Sequence, residues 1–301
     1  MSKHRCNAAA VVVTYEPDEK SLRKLVNILY SQVTEIYIID NASSVSLGLS
    51  KLNVTLTVLQ KNMGIAHAQN IGVGQALADG FTDFVLFDQD SLPSETMISD
   101  LLQARRKAYD DGLQVAAVGP VHIDQDSFAN SIFISTQQGN IDKIEVPEPQ
   151  FSEVTYASCD FLIASGCLIS KAALDSVGYM EDGLFIDCVD IEWGFRANSR
   201  GLHCIAAFEA KMYHKIGEAP LKLLGRDLTT HSPLRHYYFY RNFYRLLKRP
   251  YVPSCWKKHT LVKSLVQAIV FTLFLKPRFQ HFKYIVKGIF HGLVDRSGKY
   301  E

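Results

Sequence analysis

Over the first 120 residues, short continuous apolar runs alternate with stretches in which apolar side chains recur every three or four positions. Continuous runs are typical of strands covered on both faces, and the wider spacing is typical of helices. The pattern predicts strands at 8–14, 36–39, 54–59, 84–87 and 115–118, and helices around 22–29, 65–78 and 93–109. Such alternation predicts an α/β protein with a mixed, mainly parallel sheet flanked by helices.

The remainder of the chain divides into an irregular middle and a helical end. Between about 120 and 218 the pattern predicts strands at 131–135, 161–169 and 203–208 and a short helix at 190–199. From Pro233 onward apolar residues recur at helical spacing, and Lys283, Lys287 and His291 lie four apart on the opposite side. The sequence therefore predicts a C-terminal helical segment after the sheet.

Composition excludes several classes of protein, and the distribution of charge indicates what kind of surface the protein contacts. The 301 residues are 47% apolar and 21% charged, as in a folded chain, and the six cysteines include no Cys-x-x-Cys pair, which makes zinc-finger and disulfide-framework folds weak candidates. The net charge of +1 hides an asymmetry, since residues 226–301 contain 15 basic and 3 acidic side chains. A basic segment predicts contact with an anionic surface, either membrane or nucleic acid. Because this segment is apolar between its charges and has no RNA-binding motif, we expect no nucleic acid.

Polar residues follow three of the predicted strands. Thr14, Tyr15 and Glu16 follow the first strand, Asp40 follows the second, and the segment 88–91, Asp-Gln-Asp-Ser, follows the fourth. Ligands of open parallel sheets bind beyond the carboxyl ends of the strands, so these residues are expected at one rim. Two carboxylates at i and i+2 suit Mg²⁺ or Mn²⁺, although a solvated turn would use the same residue types.

Three further features have both a chemical and a structural interpretation. The segment 62–70 places Gly64 at the start of a predicted helix. The backbone N–H groups of this helix start could bind phosphate, or the small residues could simply allow the helix to pack closely on the sheet. Asp187 and Asp190 are three apart, so one carboxylate could raise the pKa of the other and prepare a proton acceptor; a helix cap is the alternative. Trp193 could stack on a sugar or lie in the core, and His214 could bind a metal or be a core histidine.

Taken in order, these segments resemble the inverting nucleotide-sugar glycosyltransferases of family 2, which have the Rossmann-like GT-A fold. The resemblance covers about residues 7–245 and is closest to bacterial rhamnosyltransferases of O-antigen and other surface polysaccharides. The segments that carry it are VVVTYEPD at 11–18, IIDNAS at 38–43, NMGIAHAQNIG at 62–72, FDQDS at 87–91, SGCLIS at 165–170, FIDCVDIEWGFR at 185–196 and YHKIGE at 213–218.

The resemblance implies a role for each matching residue. The nucleotide-sugar donor would contact Thr14, Tyr15, Glu16, Asp40, Asn62, Gly64, Asn70, Asp88 and Gln89. Mg²⁺ or Mn²⁺ would be held by Asp90 with Asp88 and His214, and Asp190 falls where the family carries its general base. The acceptor would contact Asp187, Glu192, Trp193, Arg235 and Arg241. The usual Glu-Asp pair is here Val189-Asp190, so the supporting acid would be Asp187 or Glu192.

The resemblance also implies a function and its partners. Residues 1–225 would be a GT-A catalytic domain, with a nucleotide-binding half to about 120 and an acceptor-binding half after it, and the change in charge after 225 predicts basic amphipathic helices over 226–301. The reaction would move L-rhamnose from dTDP-rhamnose to a lipid-linked oligosaccharide; a UDP-hexose donor or a nucleotidyltransferase are the alternatives. The 12 uncharged residues 264–275 are too few to cross a bilayer. We therefore expect a peripheral protein at the cytoplasmic face of the inner membrane, or a cytoplasmic one, with the helices on the membrane or in a homo-oligomer contact.

Overall fold

The computed structural model describes residues 6–45, 48, 52–148, 153–214, 221–223, 226–228 and 230–301. For residue 214 and for the segments 221–223 and 226–228, the description is of the backbone alone.

The strands and helices alternate through the first half of the chain and give way to helices at its end. The strands are β1 Cys6–Thr14, β2 Val33–Asp40, β3 Thr55–Val58, β4 Asp83–Asp88, β5 Leu92–Pro93, β6 Val115–Asp124, β7 Phe133–Ser135, β8 Asp142–Ile144, β9 Tyr156–Cys159, β10 Leu168–Ser170, β11 His203–His214, β12 Leu221–Leu223 and β13 Arg226–Leu228. The helices are α1 Glu19–Leu29, α2 Ile65–Ala78, α3 Met97–Asp110, α4 Lys171–Val177, α5 Val189–Asn198, α6 Pro233–Leu246, α7 Ser254–Phe274 and α8 Arg278–Leu293, with one 3-10 turn at Asp182–Leu184.

One mixed sheet organises the molecule. Its order within the described residues is β3-β2-β1-β4-β10-β6-β11-β5, with β9 also paired to β11. β1 runs parallel to β2 and β4, and β6 runs parallel to β11, whereas β10 is antiparallel to both of its neighbours. The register places Thr14 opposite Asp40 and Val13 opposite Asp88. The ends of β1, β2 and β4 therefore meet at one edge, as the sequence predicts.

Helices cover both faces of the sheet, which is why β1 is apolar throughout. On one face, alternate residues of β1 such as Ala10 and Val12 pack with α1 and α3. On the other face, Val11 and Val13 pack in a core that includes residues of α2, α4, α5 and α6. The predicted fold class, a mainly parallel sheet flanked by helices with a helical C-terminal segment, is confirmed.

Two predicted elements differ from the structure. The predicted strand at 161–169 is wrong over most of its length, because the chain turns at Gly166, whose φ is +82°, and only Leu168–Ser170 is extended. A Cβ at residue 166 would lie 2.6 Å from Met212 and from Pro120, so glycine is required there. The predicted helix at 93–109 begins late, at Met97, because Leu92–Pro93 instead pairs with β11.

The three C-terminal helices pack on one another and on the sheet layer. α8 lies against α6 at Gly288 and Gly292, where an added Cβ would lie 2.6 Å from the Tyr237 carbonyl oxygen and 2.5 Å from that of Arg241. Phe271 of α7 and Ile285 of α8 are buried with Tyr240 of α6. Within the part of the chain that the structure describes, no helix combines the length and apolar character needed to cross a membrane.

Candidate active site

A cleft of about 1020 Å³ opens where β1 and β4 end. Its walls come from strand ends, loops and helices that are distant in sequence, as expected for the ligand site of an open parallel sheet. The sequence-predicted residues that line it are Thr14, Tyr15, Asn62, Gly64, Asp88, Gln89, Asp90, Asp187, Asp190 and Arg235. The structure therefore brings together, in one cavity, ten of the sequence-predicted site residues, including the carboxylate pair Asp88 and Asp90 and the candidate base Asp190.

The side chain of Gln89 joins the loops that follow β1 and β4. Its Oε1 accepts the backbone N–H of Tyr15 at 2.7 Å, and its Nε2 donates to the Tyr15 carbonyl at 3.2 Å. The two bonds fix the backbone of Tyr15 and leave its ring half exposed at the cleft. Gln89 thus positions an aromatic face for a planar group such as a nucleobase.

Asp40 does not line the cleft but holds residues beside it. The carboxylate is buried, accepts the Thr14 hydroxyl at 2.9 Å, and accepts both the hydroxyl and the N–H of Ser43 at 2.5 and 3.0 Å. Its hydrogen-bonding capacity is largely used inside the protein. Glu16 likewise does not line the cleft, and its carboxylate accepts the N–H and hydroxyl of Ser44.

Asp88 and Asp90 present the candidate metal site. Asp90 is exposed, lines the cleft and forms no hydrogen bond or ion pair with any residue that the structure describes. A free carboxylate beside a second one is an oxygen donor set that fits Mg²⁺ or Mn²⁺. The side chain of His214 lies outside the described residues, but the adjacent Tyr213 pairs with Leu92, two positions beyond Asp90. Among the described residues, no group of three ligand-type side chains is close enough to hold a metal ion.

Gly64 joins the start of α2 to the loop before α5. Its φ is +90°, and a Cβ there would lie 2.5 Å from the Phe185 carbonyl oxygen, which also accepts the Ile65 N–H at 2.7 Å. The first backbone N–H of α2 is therefore not free to bind a phosphate, which corrects the phosphate-binding interpretation at that group. Asn70 is also corrected: its amide bonds to Met180 and Asp182 and lies outside the cleft lining.

The segment 185–188 enters the cleft in a strained conformation. Phe185, Asp187 and Cys188 all have positive φ, between 61° and 66°, although none is glycine. Left-handed conformations of this kind cost free energy and persist where the surroundings enforce them. Here the buried amide of Asn242 enforces them, since its Nδ2 lies 2.7–2.8 Å from the carbonyl oxygens of Leu184, Ile186 and Asp187.

Asp190 has the properties of a proton acceptor. It lies in the first turn of α5, lines the cleft, and its Oδ1 accepts the Ile191 N–H at 2.9 Å. Burial raises the pKa of Asp190 to about 6, and the nearby Asp187 carboxylate adds to this, while backbone N–H groups partly oppose it. A carboxyl with such a pKa exchanges a proton near neutral pH.

Asp187 and Arg235 form the neighbouring wall. Both Nε and a terminal nitrogen of Arg235 donate to Oδ1 of Asp187 at 3.2 Å, while Oδ2 is buried without a partner among the described residues. The Arg235 side chain is 45% exposed and lines the cleft, so its guanidinium can also meet an anionic ligand.

Three predicted acceptor residues lie inside the protein instead. Glu192 is buried, pairs with Arg196 at 2.8 Å and accepts the Tyr251 hydroxyl at 2.6 Å. Trp193 is buried and donates its indole N–H to the Gly178 carbonyl at 2.8 Å, so it is a core tryptophan. Arg241 is fully buried and donates to the carbonyls of Gly183, Leu184 and Gly298. Each is used by the fold and is not available to an acceptor.

Sequence reasoning missed several residues of the site. Asn41 and Gln69 line the cleft, and Asn41 Oδ1 accepts the Met63 N–H at 2.8 Å. Asn242 anchors the strained segment from behind. Asn41 and Gln69 stand in two of the segments that carry the resemblance, 38–43 and 62–72, although neither is assigned a role there, and Asn242 lies outside those segments.

Two sequence comparisons agree with this geometry. Residues 9–178 match the model of the family described as glycosyl transferase family 2. The chain is 33% identical over 301 residues, 98% of its own length and 98% of the relative's, to dTDP-rhamnosyl transferase RfbF of Shigella flexneri.

Solved structures with low sequence identity share the fold. GalNAc-T7 with UDP, GalNAc and Mn²⁺ superposes with a TM-score of 0.61 at 14% identity, over 96% of this chain and 57% of that one. Residues 1–349 of TarS from S. aureus with UDP-GlcNAc superpose with a TM-score of 0.57 at 15% identity, over 94% of this chain and 82% of that one. The predicted GT-A fold is thereby confirmed.

Proposed function

The chain belongs to glycosyl transferase family 2 and is a glycosyltransferase, and on that premise we propose that it transfers L-rhamnose from dTDP-rhamnose to a hydroxyl of a lipid-linked oligosaccharide, with inversion. The 33% identity to a dTDP-rhamnosyl transferase over nearly the full length of both chains supports the donor. The product would serve a bacterial surface polysaccharide such as O-antigen.

The observation that carries the reaction is the position of Asp190 in the same cleft as Asp88 and Asp90. Asp190 takes the proton of the acceptor hydroxyl as that oxygen attacks the anomeric carbon and the bond to the diphosphate breaks. Asp187, beside it, orients Arg235 at the cleft wall. No carboxylate nucleophile is needed, because one displacement gives inversion.

The donor half of the cleft binds the nucleotide. The ring of Tyr15, fixed by Gln89, meets the base, and Asn62 and Asp88 border the ribose and diphosphate. Asp90 and Asp88, with His214, would hold Mg²⁺ or Mn²⁺, and the bound ion would supply positive charge that stabilises the leaving diphosphate.

A nucleotide panel tests the donor and the metal together. The protein is melted with dTDP, UDP, dTDP-rhamnose and UDP-glucose, each with and without Mn²⁺. At a hundredfold excess over Kd, a ligand of the native state adds about 2.7 kcal/mol of stability. We expect dTDP compounds with Mn²⁺ to give the largest shift in Tm and the Asp90→Asn variant to lose it. A larger shift with UDP compounds would favour the UDP-hexose alternative, and transfer of a nucleotide to a sugar phosphate would favour the nucleotidyltransferase.

We infer that α7 and α8 meet the membrane. The side chains that α7 and α8 leave 47–75% exposed include Val262, Leu265, Val266, Ile269, Leu273, Phe279, Phe282, Val286, Phe290 and Leu293. On α7, the apolar stripe is flanked by the exposed Lys258 and by Lys276 just beyond the end of the helix. Apolar surface flanked by lysines suits an interfacial helix on anionic lipid, to which each lysine contributes about 1 kcal/mol.

Vesicle sedimentation tests this surface. The protein should sediment with vesicles containing phosphatidylglycerol and be released by high salt or alkaline carbonate. Ile269→Ser/Phe282→Ser should reduce binding, and Phe128→Ser/Val154→Ser, which removes two exposed apolar side chains elsewhere, should not. A dimer that the first variant dissociates, without vesicle binding in the wild type, would assign the face to a homo-oligomer.

A further inference from the structure

A second groove of about 550 Å³ adjoins the active-site cleft. Asn62 and Phe185 line both cavities, so the groove and the cleft lie on either side of these two residues. Three cations also line the groove: Lys61, from the loop before α2, and Arg296 and Lys299, from the segment after α8.

Ion pairs with described residues do not engage the three cations, although two acids share the groove with them. Lys61, Arg296 and Lys299 are exposed, and none forms an ion pair or side-chain hydrogen bond with a residue that the structure describes. Of the two acids in the groove lining, Asp182 already bonds to His67 at 2.7 Å and to Asn70 at 2.6 Å. Glu301 is the other. With three exposed cations against two acids in its lining, the groove has an excess of positive charge, which favours an anion with several phosphate oxygens.

The segment that carries two of these cations is fixed to the body. The Gly298 N–H donates to the Gly183 carbonyl at 2.8 Å, and Arg241 donates to the Gly298 carbonyl at 2.5 Å. The Tyr300 N–H donates to the Tyr238 hydroxyl at 2.9 Å. The groove is therefore a built feature of the fold, and its lining from this segment starts at Arg296, three residues after the end of α8 at Leu293.

We propose that this groove binds the diphosphate of a polyprenyl-diphosphate-linked acceptor, between the membrane-facing helices and the active-site cleft. This deepens the proposed function, on which it rests: the lipid chain would leave toward α8, and the sugar end would enter the cleft past Asn62 and Phe185. The chemistry recognised is a diphosphate monoester or diester joined to an apolar chain.

A binding experiment with the nucleotide site filled tests the groove. The protein is saturated with dTDP and Mn²⁺, and farnesyl diphosphate is titrated; farnesol and inorganic pyrophosphate are parallel arms. We expect farnesyl diphosphate to bind in the presence of dTDP, pyrophosphate to bind more weakly, and farnesol not to compete. Lys61→Ala/Arg296→Ala/Lys299→Ala should weaken farnesyl diphosphate binding at least about tenfold and leave dTDP binding unchanged.

A matched control removes the same charges elsewhere. Arg106→Ala/Lys107→Ala/Lys143→Ala also loses one arginine and two lysines, all exposed, and should bind farnesyl diphosphate like the wild type. Glu301→Gln should tighten binding by about twofold. The proposal would be overturned if dTDP displaced farnesyl diphosphate or if farnesol bound as tightly as farnesyl diphosphate. It would also be overturned if both triple variants weakened farnesyl diphosphate binding equally. Absence of dTDP binding would instead contradict the proposed function.

Discussion

Replacement of Asp190 by asparagine should abolish transfer and stabilise the fold. Asparagine keeps the size of the side chain and an oxygen for the Ile191 N–H, which Asp190 accepts at 2.9 Å. It cannot take a proton from the acceptor. Because the general base acts in the transition state, we expect kcat to fall by about 10²–10⁴-fold, with donor binding nearly unchanged.

The gain in stability follows from the raised pKa. Burial and, to a lesser extent, Asp187 bring the pKa of Asp190 from 3.8 to about 6. The folded state therefore holds the proton more tightly than the unfolded state, so stability decreases as the pH rises from about 4 to about 6 and stays low above that. At 1.36 kcal/mol per pKa unit the cost at pH 7.5 is about 3 kcal/mol. Removing it should raise Tm by about 5 °C in a chain of 301 residues.

Two assays check the pair of effects. Urea denaturation of wild type and Asp190→Asn at pH 7.5 and pH 4 should show a stability difference that is large at pH 7.5 and small at pH 4. The wild-type kcat/KM should fall about tenfold from its plateau by pH 5. Wild-type turnover in Asp190→Asn would show that the base is another group. An activity limb near pH 4, or no gain in stability at pH 7.5, would refute the argument from burial.

Three substitutions test groups behind the cleft. Asn242→Ala leaves the carbonyls of the strained segment without their donor, so stability should fall by about 1–3 kcal/mol and kcat should fall more than Kd for dTDP rises. Glu192→Ala leaves the Arg196 guanidinium buried without its partner and should cost about 3–5 kcal/mol without changing donor affinity in the folded protein. Gly288→Ala places a Cβ 2.6 Å from a carbonyl of α6 and should cost about 1–3 kcal/mol. Urea denaturation, dTDP titration and steady-state kinetics measure these effects.

Gly288→Ala has a matched control variant in the same chain, and the other two substitutions each have a result that would contradict the prediction. Gly74→Ala, at a helical glycine with open space around it, should stabilise by about 0.5–1 kcal/mol and is the control for Gly288→Ala. A stable Glu192→Ala variant with a raised acceptor KM would restore Glu192 as an acceptor contact. A stability loss in Asn242→Ala with kcat unchanged would show that the segment 185–188 keeps its conformation without the amide.

Local patterns were sufficient for the donor side of the cleft. β1, β2 and β4 are continuous apolar runs, and the carboxyl ends of neighbouring parallel strands must meet at one edge. Tyr15 and Asp90 could therefore be placed from strand order alone. Asp40 was placed at the right edge but with the wrong contact, since hydrogen bonds from Thr14 and Ser43 use its carboxylate inside the fold.

Whether a predicted acceptor residue faces the cleft or the interior depends on its partners elsewhere in the fold, and no local sequence pattern shows those partners. Asp190 and Glu192 are two residues apart in one helix, and sequence reasoning treated both as chemical groups. One faces the cleft, and the other faces Arg196 and the hydroxyl of Tyr251, which lies in the loop after α6. The resemblance implies an acceptor contact for Arg241, but its guanidinium donates to backbone carbonyls inside the fold.

The same contacts change the expected relation between the C-terminal helices and the catalytic domain. The division at 225 and 226 is a prediction from charge, yet Arg241 and Asn242 of α6 hold the carbonyls of the segment that presents Asp187 and leads into Asp190. α8 in turn packs on α6 through Gly288. The proposed bilayer contact of α8 would therefore lie one helix away from the segment 185–190. Residues after 225 therefore support the candidate active site directly, in addition to carrying the proposed membrane surface.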